Sequence, residues 1–466
     1  MLLKEYLTFN SMKKTRFTYI LLAAITLTVS SCGDKLNIAP TQSIDQDVAL
    51  TTSKDVEAAL IGAYDALGEY YVWGGQIQMS SDLLAATNEL QWLGTFVDPG
   101  QFYDKKILTN NLYGSNIWLN SYETINICNN VLANIDKVDA AKKNRIQGEA
   151  LFIRGSVYFE LVRLFAKTWG DGDNTVNPGV PLVLTPTTEI NNGSYVSRNS
   201  VAQVYAKVLE DLLAAESLLP DAASTSTSGK MTGQATKWAA AGILSRVYLM
   251  QQNYAAARDA ANRVIQSNKY ALNQNYAASF NLVNMNSPEN IFSTQVTSQD
   301  GDNSLRTFYS IESRGDIYVT TNHINEYEQG DERADLFYQD GDDFFTEKFS
   351  TIYSNVPVIR LAEMYLTRAE ANFRLNTSVG ATPLADINLI RNRVNLPSLT
   401  STSLTLSAIL KERKLELMFE GHLLHDLKRT RRSVGAISFN ANNLVYPIPQ
   451  RETDVNSQLV QNPGYN

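Results

Sequence analysis

Cysteine is nearly absent: 466 residues hold two, Cys32 and Cys128. Cys128 lies in an apolar-rich stretch with Ile125, Ile127, Val131 and Leu132 and reads as a small buried core residue. Histidine is almost as scarce, with only His323, His422 and His425. His422 and His425 stand three apart on a predicted helix beside Asp426. That spacing can hold a metal, but no third ligand is near, so a scaffold role is expected. His323 has no nucleophile pattern around it. The chain lacks a Gly-x-Ser-x-Gly elbow, a His-Glu-x-x-His helix and a phosphate loop, which removes the hydrolases and nucleotide enzymes that need them. It also lacks the run of about 20 apolar residues that a membrane span requires. Basic charge is short as well: 40 Lys and Arg against 48 Asp and Glu, a net −8.

What is present begins with a basic patch, Lys13, Lys14 and Arg16, followed by an apolar run from Phe17 to Val29. Ser30-Ser31-Cys32 closes the segment. A basic start, a short apolar run and small residues at a cleavage point describe a secretory signal over residues 1–31, with Met12 an alternative start. Val29-Ser30-Ser31-Cys32 resembles the lipobox of bacterial lipoproteins, which implies acylation of Cys32. Stable anchoring takes more than one acyl chain, and such lipoproteins carry two or three. Removing residues 1–31 takes away a net +3 and leaves −11 on 435 residues. So acidic a surface repels phosphate backbones and argues against nucleic acid. Cys128 is then the sole thiol and can form no intramolecular disulfide.

Residues 32–50 are polar, with little periodicity, and read as a tether from the lipid to the body. From Ser53, a plausible N-cap, Val56, Ala59, Leu60, Ala63, Tyr64 and Leu67 recur at helical spacing, with Gly68 as the stop. Helical patterning returns over 116–137, 142–166, 199–219, 235–250, 254–267, 357–375, 383–393 and 405–429. Strand-like alternation is scarce, so the fold class is mainly α. Leu244, Ser245, Tyr248, Tyr254, Ala257, Ala261 and Val264 match tetratricopeptide spacing. Gly155 with Tyr158, and Ala369 with Asn372, hint at two further units. Such pairs must stack to bury their faces, and long insertions between them make the scaffold irregular.

Three stretches interrupt the helices. Residues 68–115 carry Tyr70, Tyr71, Trp73, Trp92, Phe96, Phe102, Tyr103 and Tyr113 among glycines. Residues 168–198 are rich in Gly, Asp, Asn, Thr and Pro. Residues 273–356 carry Phe308, Tyr309, Tyr318, Tyr327, Phe337, Tyr338, Phe344 and Phe345. Long loops on a rigid scaffold usually carry function. Asp171, Asp173 and Asn174, and likewise Asp300, Asp302 and Asn303, resemble part of a calcium loop, yet neither group has the glutamate at the twelfth position of an EF-hand. No cofactor is expected beyond calcium in such a loop.

Several helices carry a family resemblance. Gly148 to Trp169 (GEALFIRGSVYFELVRLFAKTW) resembles the early signature helix of the SusD/RagB family. Arg198 to Pro220 is similar to its next helix, and Pro357 to Ala371 (PVIRLAEMYLTRAEA) to its most diagnostic one. Ile387 to Pro397 and Ile409 to Arg429 follow in family order, and the chain closes with Tyr446-Pro447-Ile448-Pro449-Gln450 and Gln461-Asn462-Pro463-Gly464-Tyr465. Leu423 departs from the arginine usual after Glu-Gly-His. The residues within these motifs read as structural: Arg360, Glu363, Arg368 and Glu370 as helix pairs, and Glu412, Arg413, Glu416, Glu420 and Arg429 as a partly buried ion network.

The resemblance implies one body over residues 51–466: helices in 51–270, a loop-rich insertion over 271–356, then closing helices and motifs in 357–466. It implies a lipid-anchored protein facing outward on the outer membrane. Such a protein would capture a glycan and deliver it to a SusC-like TonB-dependent transporter. Aromatic faces stack on the C–H faces of sugars, so the candidate ligand residues are Tyr71, Trp73, Trp92, Phe96, Phe308, Tyr309 and Tyr318. Loss of Trp73 or Trp92 is expected to weaken glycan binding. Two other readings stand beside this one. RagB-like members deliver peptides, and a surface glycosidase would need two carboxylates about 5–9 Å apart, of which no pair stands out. A purely structural adaptor built on helical repeats is a further possibility.

Overall fold

A computed structural model describes residues 50–222, 233–283 and 285–465. The signal segment, Cys32 and the tether short of Leu50 lie outside the described residues. Thr52–Asn466 cluster as one body, and no described helix is long and apolar enough to cross a membrane.

In chain order the elements are α1 (Ser53–Gly68), α2 (Gln76–Ala85), β1 (Leu90–Trp92), α3 (Val97–Tyr103), α4 (Leu112–Ala133) and α5 (Ala140–Phe165). Next come α6 (Val201–Leu218), α7 (Lys237–Met250), α8 (Tyr254–Gln266), β2 (Asn290–Thr294), α9 (Ser304–Tyr309), β3 (Ile317–Val319) and α10 (Thr321–Ile324). The rest are β4 (Phe337–Asp340), β5 (Asp343–Thr346), β6 (Val356–Arg360), α11 (Leu361–Leu375), α12 (Pro383–Asn392), α13 (Leu406–Glu416), α14 (Leu423–Arg429) and α15 (Gln450–Val455). The mainly α reading holds.

The scaffold is a relay of helices in which each long helix packs on the one before it. Its order is α1, α4, α5, α6, α7, α8 and α11, and α11 then meets α12 and α13. Helix α1 starts one residue earlier than its pattern suggests. Thr52, not Ser53, is the N-cap and forms a capping box with Asp55, satisfying backbone donors at both positions. Small residues set the spacing of the relay. A Cβ on Gly155 of α5 would lie 3.1 Å from Asp211 Cβ and Leu212 Cγ of α6. In the tetratricopeptide-like pair α7–α8, Ser245, Ala257 and Ala261 are wholly buried.

Buried forked ion pairs link the helices. Arg154 grips Asp211 at 2.8 and 2.9 Å, joining α5 to α6, and Arg246 of α7 holds Glu363 of α11 at 2.9 and 2.7 Å. Arg368 ties α11 to Asp386 of α12, and Arg429 of α14 reaches Glu370 of α11 with two bonds of 2.7 Å. For Glu363, Arg368 and Glu370 the spacing had suggested pairs within the helix, and their forks instead cross between helices. Partners within the same helix remain beside the forks: Arg374 for Glu370 at 2.8 Å, Lys207 for Asp211 at 3.0 Å and Asp426 for Arg429 at 2.7 Å. A fork fixes direction as well as charge, so these arginines register one helix on the next.

Two expected helices are corrected. Residues 357–360 are strand β6, paired antiparallel with β2; Arg360 ends the strand and α11 begins only at Leu361. The helix expected over 405–429 breaks after Glu416, and Phe419 and Gly421 adopt positive φ of 68° and 78°. A helix end leaves carbonyls without partners, and here side chains from the third insertion and from the end of β6 fill them. Tyr276 and Arg360 donate to the Glu416 carbonyl at 2.8 and 3.0 Å, and Lys348 to that of Met418 at 2.7 Å.

The first and third insertions are built into each other. Strand β1 of the first pairs antiparallel with β3 of the third, placing Gln91 opposite Tyr318 and Trp92 opposite Ile317. The sheet runs β1-β3-β5-β4.

Candidate functional site

The turn after α1 decides where the first aromatics go. Trp73 N donates to the Leu67 carbonyl at 3.0 Å, and Gly75 has a φ of +114°, a conformation that costs glycine little. A Cβ on Gly74 would lie 2.5 Å from the Glu69 carbonyl oxygen. The tight turn drives Trp73 inward until 1% of it is exposed. Its indole N–H donates to Glu160 at 3.2 Å, and its ring lies against Phe152 and Phe292. Trp73 is therefore a core residue, and its expected role as a stacking face is corrected.

Helix α9 is seated on the same turn, since Ser304 N donates to the Gly74 carbonyl at 2.8 Å. It carries Phe308 and Tyr309, both fully buried. Phe308 is a hub: Trp92, Tyr113 and Phe96 approach it with ring centroids 5.6, 6.2 and 6.4 Å away. Trp92 is only 9% exposed. A Cβ on Gly94 would come within 2.5 Å of its ring, and one on Gly100 within 3.3 Å of its indole nitrogen. These glycines let backbone cover the indole, so Trp92 and Phe308 form the floor of the site rather than its surface. Tyr309 points the other way, onto Asp82 and between Phe349 and Phe419.

The rim reaches solvent. Phe96 is 43% exposed, and the Arg314 guanidinium lies 3.7 Å above its ring centroid. Arg314 Nε donates to Asp316 at 2.7 Å. Tyr70 and Tyr113 are half-buried with their phenols close enough to act on each other, and burial raises both above their ordinary range. Tyr71 sits edge-on to Tyr70 at 5.4 Å. Asp98 lies close enough to Tyr113 to push its phenol up further, while Arg314 pulls it down. Leu93, Val97 and Leu112 add exposed apolar surface from neighbouring positions in the first insertion.

Tyr318 stands apart. It faces the side of the sheet opposite Trp92, against Phe345 at 4.9 Å, with Tyr338 stacked beyond. The expected set thus divides. Phe96 and Tyr71 belong to the rim, Trp92 and Phe308 lie under it, and Trp73, Tyr309 and Tyr318 serve other surroundings. Tyr70, Tyr113, Arg314 and Asp316 were not singled out. The two tyrosines stand among the aromatics of the first insertion without distinction, and Arg314 and Asp316 offered no signal, because only the β1–β3 pairing brings Arg314 beside Phe96.

Two adjoining cavities, about 40 and 330 Å³, lie behind Tyr70 between the end of α1 and residues 295–303. A cavity of about 430 Å³ opens elsewhere, between Lys105–Thr109 and the closing segment with Asn442 and Tyr465. Of the three, only the smallest touches the rim, through Tyr70.

The acidic loops are held by protein donors. Asp173 accepts from the Thr175 backbone and hydroxyl, and Asn174 from Gly170 N. Asp300 accepts from Thr297, Asp302 pairs with Arg306, and Asn303 caps α9. Among the described residues no three His, Cys, Asp or Glu side chains gather as a metal site. Burial holds His425 neutral and pushes His422 down to about 3, with Glu363 4.0 Å from its Nδ1.

A family model described as "Starch-binding associating with outer membrane" matches residues 40–249, and a SusD family model matches residues 266–443. A SusD-like protein P2 of Formosa agariphila is 25% identical over 97% of this chain and all of its own length. A solved Bacteroides vulgatus structure, provisionally named a sugar-binding protein, superposes with a TM-score of 0.81 at 27% identity. It covers 90% of this chain and all of that one. A SusD superfamily structure from Bacteroides thetaiotaomicron gives 0.80 at 26% identity, over 88% of this chain and all of that one.

Proposed function

The chain belongs to the SusD/RagB family, and from that premise we propose that it captures oligosaccharides or polysaccharides at the cell surface for a TonB-dependent outer-membrane transporter. The observation that carries the reading is the rim around Phe308. Phe96 lies under the Arg314 guanidinium of the Arg314–Asp316 pair, Tyr113 shares Phe308 with it, and the partly exposed rings of Tyr70 and Tyr71 adjoin Tyr113. Rings take up the C–H faces of a sugar, and a guanidinium and a carboxylate donate to and accept from its hydroxyls. The starch-binding description of the matching family model and the sugar-binding name of the Bacteroides vulgatus relative support the same class. Residence on the outer membrane through lipid on Cys32, and the role of residues 32–50 as a tether, are part of the proposal.

Paired arrays of glycans and peptides, probed with the protein cut back to the residue after Cys32, test the ligand class. Binding to at least one glycan series and to no peptide series is expected. Peptide binding alone would overturn the reading in favour of peptide capture, and cleavage of any bound glycan would make the protein a hydrolase. Co-purification of a TonB-dependent transporter from its native membranes is the expected partner result. A Cys32→Ser chain should leave the membrane fraction and keep its ligand binding.

A further inference from the structure

Arg314 covers the ring that the proposed ligand needs. Its guanidinium lies 3.7 Å above Phe96, the place a sugar ring would take. The Arg314 side chain is about one-third exposed, so it can leave that place without opening the core. Its backbone cannot drift, because Arg314 N donates to the Thr307 carbonyl at 3.0 Å. Asp316 sits two residues on, 2.7 Å from Nε, and its side chain is 12% exposed. A guanidinium swung off the ring while keeping Asp316 still has its outer nitrogens to offer.

The charge around the rim limits what can come in. Arg314 is already neutralised by Asp316, and Asp98 is the further charged neighbour shared through Tyr113, so the site carries a net negative charge. A ligand carboxylate on those outer nitrogens would bring a second anion against the mostly buried Asp316 carboxylate, with Asp98 a third around the single Arg314 cation. Like charges held close together in a partly desolvated site repel each other strongly. A neutral sugar meets no such conflict. Its vicinal hydroxyls accept from the planar guanidinium and donate to Asp316 while the ion pair stays intact.

We propose that Arg314 is a displaceable cap on Phe96 that, with Asp316, makes the site selective for neutral over uronate-bearing glycans. This rests on the glycan-capture reading and sharpens it. The test is calorimetric titration of the intact mature chain with two sets of hexasaccharides. Maltohexaose, xylohexaose and mannohexaose form the neutral set; hexagalacturonate and hexamannuronate form the acidic set. At least one neutral probe should bind ten times or more tighter than either acidic probe. Arg314→Ala should weaken the neutral probe at least tenfold, and Arg314→Lys, a point charge without the fork, should recover less than half of that loss. Asp316→Asn should narrow the gap between neutral and acidic probes. Unchanged thermal melting in all three variants will show that the fold is intact. Neutral binding that none of the variants alters, or acidic probes preferred by the unaltered protein, would overturn the cap and leave glycan capture standing. Failure of every probe to bind the unaltered protein would count against both.

Discussion

Tyr309 donates its phenolic hydrogen to Asp82 Oδ2 across 3.1 Å, and Gly421 N points at the same carboxylate from 3.2 Å. The three residues come from α9, α2 and the break between α13 and α14, so one buried acid joins both insertions to the closing helices. Burial pushes Asp82 up to about 8, against the pull of Tyr309, Gly421 and the more distant Lys348. At neutral pH the folded protein therefore keeps a proton that the unfolded chain, near pH 4 at this residue, has released.

That proton gives a pH dependence of definite sign. A carboxyl raised on folding makes the native state bind more protons, so stability falls as pH rises from about 4 to about 8. Four pKa units correspond to roughly 5 kcal/mol as an upper bound. His422 and His425, lowered by burial, act in the opposite direction up to about pH 6.5, and Lys105 and Lys428, lowered to about 8, do so from about pH 8 to 10.5. The comparison with Asp82→Asn isolates the acid. Urea midpoints measured from pH 5.5 to 8 should decline more steeply in the unaltered protein than in the variant. Parallel profiles would mean that Asp82 is already ionised in the native state.

Arg360 is the most heavily used side chain of the ion network. It meets Glu420 at 2.8 and 2.7 Å, Glu289 at 2.7 Å and Glu416 at 3.0 Å, and those acids also meet Arg393 and Lys348. Coulombic attraction overcomes desolvation here, since Glu289 and Glu420 are both held below the ordinary carboxylate range. Arg360→Met should cost about 3–5 kcal/mol in chemical denaturation, because it strands buried carboxylates. Arg360→Lys should cost less but remain clearly destabilising, since an ammonium cannot reproduce the fork. Equal stability of all three proteins would show that Arg393 and Lys348 suffice.

The helices that read clearly in the sequence are those with one wet face. Helix α1 shows its buried stripe at Val56, Leu60, Ala63 and Leu67, and the spacing alone reveals it. Helix α2 gave no such sign: every residue from Gln76 to Ala85 is buried, and five of its ten side chains are polar. Periodicity reports contrast between faces, and α2 has none. The junction of β6 with α11 was hidden for a related reason, because Val356 to Ala362 is buried throughout, Arg360 included, and so shows no contrast between faces where strand becomes helix. The break after Glu416 depends on carbonyl partners about 60 to 140 residues away, Arg360 and Tyr276, which local pattern does not record. The site was legible as composition, in two aromatic-rich insertions, but not as surface. Trp73 and Phe96 look alike as ring-bearing loop residues, and only the Gly74-Gly75 turn sends one inward.

That contrast separates two kinds of aromatic. Trp73 packs on Phe152 and Phe292 and satisfies Glu160, whereas Phe96 rests one edge on Phe308, carries the Arg314 guanidinium over its face and stays 43% exposed. Trp73→Ala would open a cavity and free a buried carboxylate, at a cost of about 3–5 kcal/mol in stability. The molecules that remain folded should bind glycan as before. Phe96→Ala removes little buried surface and should shift stability by less than about 1 kcal/mol. Its glycan affinity should fall roughly tenfold, a loss of about 1.4 kcal/mol. Denaturation and titration on the same two preparations read both quantities. If instead Trp73→Ala weakened binding at full stability, the indole would have to be reachable by ligand, and the turn at Gly74-Gly75 would have to open to admit it. If Phe96→Ala left affinity unchanged, the rim around Phe308 would not be where the glycan rests.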